Sequence, residues 1–327
     1  MTLAQLIRLL QSSVCFGTVI MYGSVGEILT EKSGNLNLGV PGIMYLGGIS
    51  GLAASFFYEF NNPNPSPVIC LLLSFVAAFL ASALGGLLYS FLTITLRANQ
   101  NVTGLTLTIF GGGVANFFGG SLNTMAGGVG QISVATTSAV YRATIPGLSN
   151  LGTVGALLFN YGFMVYLAIV VAIAMNWFLN RTRKGLNLRA VGENPATADA
   201  AGINVSAYRY GATCIGCAIS ALGGLTFIMD NLNGNWEYII DAMGWLSVAL
   251  VIFTVWKPNI GILGSIIFGG LYIAASYING IDLATKELFK ILPYFVTVVV
   301  LIITSIKNKR ENQPPAGLGA NYFREDR

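Results

Sequence analysis

Long apolar runs alternate with short polar breaks from one end of the chain to the other. A helix needs roughly 20 predominantly apolar residues to cross a bilayer. Runs of that order occupy residues 3–29, 43–58, 68–96, 102–118, 161–179, 208–229, 242–256, 260–277 and 288–306. They predict an all-α polytopic membrane protein with about nine transmembrane helices, within a range of 8–10. The first run sets that range. It is long, with Arg8 near its start and Glu27 near its end, and a re-entrant turn inside it would change the count.

The breaks carry the detail. Residues 31–42 read E-K-S-G-N-L-N-L-G-V-P-G, with Gly34, Gly39, Pro41 and Gly42 interrupting any helix. Glycine and proline there free backbone groups that lipid cannot satisfy, so residues 33–42 are expected as non-helical backbone or a helix end buried among other helices. Residues 102–118 are apolar but carry Thr103, Thr106, Thr108, Asn116 and three successive glycines. A lipid-facing helix has no use for that pattern, so this run is expected to face other helices or water. Small residues recur at helical spacing, as Gly47/Gly51, Ala81/Gly85, Gly86/Ser90, Gly216/Ser220/Gly224 and Gly261/Ser265/Gly269. Each group predicts a notch for close helix packing. Residues 119–160, rich in Gly, Ser and Thr, read as the longest loop.

The longest polar interval, residues 181–203, begins with Arg181, Arg183, Lys184 and Arg189 and continues through Glu193, Asn194-Pro195, an alanine-rich run and Gly202. Asn194 can cap a helix, Pro195 has the fixed φ that suits a first helical position, and Gly202 can end it. The pattern predicts a surface helix of about two turns over residues 194–202. Its small residues, Ala198 and Ala200, suit insertion into a groove on a partner. A well-capped ordinary loop is the competing reading.

Composition agrees with a membrane domain. Of 327 residues, 54% are hydrophobic and 9% charged, and mean hydropathy is +0.69, where soluble domains carry roughly a quarter charged residues. No polar interval is long enough for a soluble domain. The division is an integral membrane domain over residues 1–306, containing a coupling segment at 181–206, and a tail over 307–327. The first ten residues carry only Arg8 and no small-residue cleavage site, so no cleavable signal is expected. The net charge of +4 is modest and nothing in its distribution points to nucleic acid. There is no histidine, which removes Ser-His and Cys-His catalysis and His-ligated metals. Cys15, Cys70, Cys214 and Cys217 all lie in apolar runs and read as buried small hydrophobes, not as a redox or metal pair.

The positive-inside rule orients the chain. The 181–203 stretch and Lys307-Asn308-Lys309-Arg310 belong in the cytoplasm, whereas residues 230–241 have no Lys or Arg and 119–160 only Arg142. Alternation then puts Arg97, Lys257 and Glu31-Lys32 inside and the N-terminus outside.

The run Gly185-Leu-Asn-Leu-Arg-Ala-Val-Gly-Glu-Asn-Pro195, followed by Ala200-Ala201-Gly202-Ile203, resembles the cytoplasmic motif of bacterial ABC importer permeases of the branched-chain amino acid, ribose and nucleoside type. Residues 31–39 resemble the early motif of that family. The likeness covers nearly the whole chain and is greatest for the shorter of two permeases in nucleoside importers. The tail sequence Tyr322-Phe323-Arg324-Glu325-Asp326-Arg327 is also similar to that subgroup. One departure is Pro41, where the family has Glu between the two glycines of its early motif.

The resemblance implies broken core helices around a central path in the bacterial cytoplasmic membrane. It also implies a second permease, a cytoplasmic ABC ATPase that binds ATP-Mg, and an extracellular substrate-binding lipoprotein. Coupling to the ATPase would fall to Arg189, Glu193, Asn194, Pro195, Ala198, Ala200 and Gly202. The polar residues expected to face the path are Asn35, Asn37, Asn101, Thr103, Thr106 and Asn116. They are neutral donors and acceptors, which suit an uncharged polyhydroxy or heterocyclic solute such as a nucleoside. Interhelical hydrogen bonding is the competing role for each. Import of ribose or branched-chain amino acids stays open, as does ion-coupled secondary transport, although the spans offer almost no mid-membrane charge. An intramembrane enzyme is disfavoured for want of His or an acidic pair. No G-x-x-x-x-G-K-[ST] stretch occurs, so the chain has no phosphate-binding loop and no cofactor of its own is expected. The purified chain alone is expected neither to bind nor to hydrolyse ATP; ATP turnover by rigorously pure chain would overturn this.

Overall fold

A computed structural model of the chain describes residues 3–125, 127, 132–144, 152–278, 280, 282–307 and 312–323. Fourteen α-helices follow in order: α1 (Leu3–Lys32), α2 (Val40–Asn61), α3 (Pro67–Ser90), α4 (Gln100–Met125), α5 (Ala135–Tyr141), α6 (Gly152–Phe159), α7 (Phe163–Arg181), α8 (Arg183–Glu193), α9 (Pro195–Ala200), α10 (Val205–Thr226), α11 (Asp241–Phe253), α12 (Pro258–Ile273), α13 (Leu283–Phe289) and α14 (Leu292–Lys307). Among the described residues eight helical stretches are long and apolar enough to cross a membrane, and α11 is a ninth, shorter apolar helix. The nine apolar runs of the sequence are therefore all found as helices. The first is one continuous helix of 30 residues with no re-entrant turn.

Burial sorts the helices into two shells. In α10, 89% of the most apolar window is buried, and α1 and α2 are nearly as enclosed; in the α13–α14 stretch the share is 11%. The inner helix α10 packs against α1, α2 and α3. Between apolar surfaces in lipid there is little hydrophobic drive, so association depends on close van der Waals fit and hydrogen bonds. Glycine supplies the fit. A Cβ added at Gly224 would lie 1.9 Å from the Met44 carbonyl oxygen, and one at Gly216 would lie 2.5 Å from that of Gly26. Between them Ser220 donates its hydroxyl to the Gly23 carbonyl at 3.2 Å. The expected 216/220/224 notch thus seats α10 on both α1 and α2. Gly269 likewise meets Gly17 of α1, but Gly261 faces open space, so that notch is one position shorter than its spacing predicts.

Residues 119–160 are not one loop. α4 runs on to Met125, and α5 and α6 form within the interval. α5 is held by Glu59 at the end of α2, whose carboxylate accepts from the Thr137 amide at 2.7 Å and hydroxyl at 2.6 Å. Satisfying those donors with one carboxylate organises a segment whose composition signals only loop.

The Gly224 contact sets the distance between α10 and α2. Gly224→Val is expected to lower the thermal stability of the purified chain by at least the ~1–3 kcal/mol typical of overpacking. Gly113→Ala, which adds a methyl where nothing lies within 4 Å, should leave it unchanged. Melting curves in detergent read both.

Candidate coupling and translocation site

One end of the bundle gathers the polar breaks. The α1–α2 turn, the α3–α4 turn, α8 and α9, the start of α12 and residues 312–323 all meet there. Gly319 donates to the Gly34 carbonyl at 3.1 Å and Gly317 to that of Gly192 at 2.9 Å, while Lys257 donates to Asn312 Oδ1 at 3.1 Å. The basic start of the tail, Lys307 to Arg310, falls largely on residues 308–311, outside the described residues.

The α1–α2 turn, residues 33–39, is non-helical, and Ser33, Gly34, Asn35, Asn37 and Gly39 are buried. Polar side chains and the tail answer its freed backbone groups. The Leu36 amide donates to Gln100 Oε1 at 2.7 Å and its carbonyl accepts from Tyr89 Oη at 2.5 Å. The Asn37 amide donates to Glu27 Oε1 at 3.1 Å. The Leu38 carbonyl accepts from Thr108 at 3.0 Å, and the Gly39 amide donates to Asn37 Oδ1 at 2.9 Å. This is the buried break expected from residues 33–42, and Pro41 lies in the first turn of α2. Pro41 packs on α11, where a Cβ at Gly244 would sit 2.4 Å from its Cα.

Three ionisable side chains here escaped the sequence reading. Glu27 and Glu31 of α1 are 1% and 3% exposed and Arg209 of α10 is 2% exposed. Glu31-Lys32, read as part of the polar break, instead completes α1, and Glu31 accepts from the Trp256 indole N–H. Trp256 and Val255 both take left-handed backbone, φ 55 and 54, a conformation that costs a non-glycine residue roughly 1–2 kcal/mol. The i, i+4 spacing of Glu27 and Glu31 on one helix face was the available signal.

The six path candidates do not form one surface. Asn35 donates to Thr213 Oγ1 at 3.0 Å, and its own Oδ1 is buried without a hydrogen-bond partner. Asn37 is buried in the turn and donates to Cys217 Sγ at 3.6 Å. Thr103 is buried and bonds back to the Asn99 carbonyl at 2.8 Å. Asn101, Thr106 and Asn116 are exposed on α4. The opposite face of α4 packs on α2, where Gly111 meets Gly42 so closely that a Cβ would lie 2.2 Å from its carbonyl oxygen.

The coupling segment is a helix pair. α9 begins as its residues predict: Asn194 Oδ1 accepts the Thr197 amide at 3.0 Å, Pro195 opens the helix, and Gly202 closes it at φ +80. The preceding residues, read only as cations and a turn, form α8, capped by Thr182, which accepts the Gly185 amide at 3.0 Å. Gly185 and Gly192, which look like helix breakers, sit where α8 presses on the Phe178 and Lys32 carbonyls. Arg189 donates to Asn180 Oδ1 at 3.0 Å, and Glu193 accepts the Ala316 amide at 3.3 Å. The expectation that both alanines lie on the surface is corrected. Ala200 is exposed, but Ala198 is 3% exposed, packed with Val191 and Val205 beneath Tyr208 and Tyr322.

The arrangement is a bundle of apolar helices with a capped, partly exposed helix at one end. Residues 9–301 match the family described as the branched-chain amino acid transport system permease component. The chain belongs to this family and is an ABC transporter permease subunit, which is not itself an enzyme. It is 31% identical over 293 residues to the nucleoside ABC transporter permease protein NupC of Lactococcus lactis subsp. cremoris, covering 88% of this chain and 89% of that one. It is 28% identical over 298 residues to the guanosine ABC transporter permease protein NupQ of Bacillus subtilis, covering 89% of each. It is also 28% identical over 342 residues to the putative glucose ABC transporter permease protein TsgC13 of Haloferax volcanii, covering 97% of this chain and 98% of that one.

The two alanines of α9 give a direct test. In a cysteine-free background, Ala200→Cys is expected to react rapidly with a water-soluble maleimide and Ala198→Cys slowly. Equal rates would show that Ala198 is not packed on the chain.

Proposed function

We propose that the chain is the shorter permease of a bacterial nucleoside importer driven by ATP hydrolysis on partner subunits. The observation that carries this reading is the 31% identity with a nucleoside permease over nearly the full length of both chains. In this reading the chain pairs with a second permease, receives solute from an extracellular lipoprotein and docks α9 against a cytoplasmic ATPase that holds ATP-Mg. The end carrying α8, α9 and residues 312–323 then faces the cytoplasm, in accord with the cations of α8 and Lys257. The outward faces of α3 and α14 meet lipid.

The exposed polar positions of α4 support a path at the junction of two permeases. Asn101, Thr106 and Asn116 would meet a solute as neutral hydrogen-bonding groups, with Gly113 leaving room beside them. Asn35 and Asn37 act one layer back, tying the α1–α2 turn to α10, and Thr103 bonds back to the Asn99 carbonyl. Neutral groups of this kind recognise hydroxyls and heterocycle edges, which sugars share with nucleosides. The putative glucose permease relative favours sugar import as the second reading.

Uptake of labelled nucleoside by the assembled complex should be competed by unlabelled purine or pyrimidine nucleosides and not by glucose, ribose or leucine. Competition by a sugar alone moves the assignment to the second reading. Ala200→Cys should cross-link to the ATPase in membranes, whereas Ala200→Trp should leave the isolated chain stable and abolish uptake. Ala198→Trp should destabilise the chain itself by ~1–3 kcal/mol.

A further inference from the structure

Residues 321–323 touch both the coupling helix and the head of α4. Tyr322 Oη donates to Asp199 Oδ2 of α9 at 2.7 Å, and the same ring lies over the Ala198 cluster. One residue earlier, Asn321 Nδ2 donates to the Arg97 carbonyl at 2.6 Å. One residue later, the Phe323 ring lies 4.5 Å beneath the Arg97 guanidinium. Arg97 closes the α3–α4 turn in left-handed backbone, φ 57. Three consecutive side chains therefore tie α9 to a strained turn, three residues before the helix that exposes Asn101, Thr106 and Asn116.

The tie is laid across a gap. Arg97 and Ile94 line one side of a cleft of about 480 Å³, and Asp199, Gly202 and residues 203–206 line the other, with Tyr322 in its wall. The segment is also anchored on the body of the bundle. The Ala320 carbonyl accepts from Arg209 Nη1 at 3.2 Å and from Gln100 Nε2 at 3.5 Å, and Gln100 is the residue that holds the Leu36 amide. A displacement of α9 thus reaches α4 through a short non-helical segment held at both ends, across a cleft with room for the movement.

We propose that Asn321, Tyr322 and Phe323 are positioning residues for transport, forming the mechanical link by which α9 sets the position of the head of α4. The inference rests on the reading of α9 as the ATPase contact. Elements separated in this way move together only where contacts bind them to a shared two-state element. The strained Arg97 turn has the character of such an element, because its left-handed backbone persists only while its surroundings impose it.

The test uses the whole complex in proteoliposomes and reads nucleoside transported per ATP hydrolysed, alongside assembly and thermal stability. Tyr322→Phe keeps the ring and removes the bond to Asp199. It should leave assembly, stability and ATP hydrolysis near wild type and lower transport per ATP about fivefold or more, the size of one hydrogen bond's net contribution. Asp199→Ala should do the same, and the double variant should be no worse than either single one. Asn321→Ala with Phe323→Ala should lower the ratio further. Losses of Tyr322→Phe and Asp199→Ala that multiply instead of merging would overturn the link, as would an unchanged ratio in the Asn321/Phe323 variant. Should that variant fail to assemble, the Tyr322→Phe and Asp199→Ala cycle decides alone. A wild-type complex that does not couple ATP to uptake would instead overturn the importer reading itself.

Discussion

Seven residues of non-helical backbone lie between α1 and α2, five of them buried, and peptide groups enclosed there must be paired within the protein. Each unpaired group in such a place costs several kcal/mol. That constraint dictates which residues surround the turn. Glu27 reaches it from α1, Tyr89 from α3, Gln100 and Thr108 from α4, Asn37 from within the turn itself, and Gly319 from the tail. Helices that share no long apolar seam are thereby fixed about one short segment. The carboxylate of Glu27, costly in an apolar bundle, is tolerated because it accepts a hydrogen bond where the backbone needs an acceptor.

Glycine is the second half of the same solution. Side chains of ordinary length reach the turn only because the helices around it stand close, and they stand close where Gly224 meets Met44, Gly111 meets Gly42 and Gly216 meets Gly26. The same residue type serves a different end at Gly185 and Gly192. There it lets a cationic amphipathic helix lie flat against the ends of α1 and α7. The polar face of the protein is thus built as tightly as its interior, which gives α9 a firm base from which to project Ala200.

The eight long apolar helices and the shorter α11 were legible because length and hydropathy decide them independently of tertiary context. The buried α1–α2 turn was legible too, since glycine and proline at such spacing cannot continue a helix. The cap of α9 followed from Asn194, Pro195 and Gly202, whose preferences are local. What stayed hidden depends on neighbours distant in sequence. α8 contains two glycines and reads as a break until the carbonyls they accommodate are in view. Glu27 and Arg209 look like helix-end charges until three other helices close over them. Ala198 and Ala200 are chemically identical, and only Tyr322 and Val191 tell the buried one from the exposed one. The path candidates divide for the same reason: Asn35 and Asn101 are alike in sequence, but one is enclosed by α10 and the other stands on the open side of α4.

The placement of residues 317–321 has a consequence for biosynthesis. α1 and α2 come first in the chain, yet the Gly34 carbonyl between them is paired by the amide of Gly319, which follows α14. Asn321 closes a contact 224 residues back, at Arg97. The Gly34 pairing forms only after residue 319 has been made. The final closing of the polar face therefore follows the synthesis of every helix that precedes residue 317.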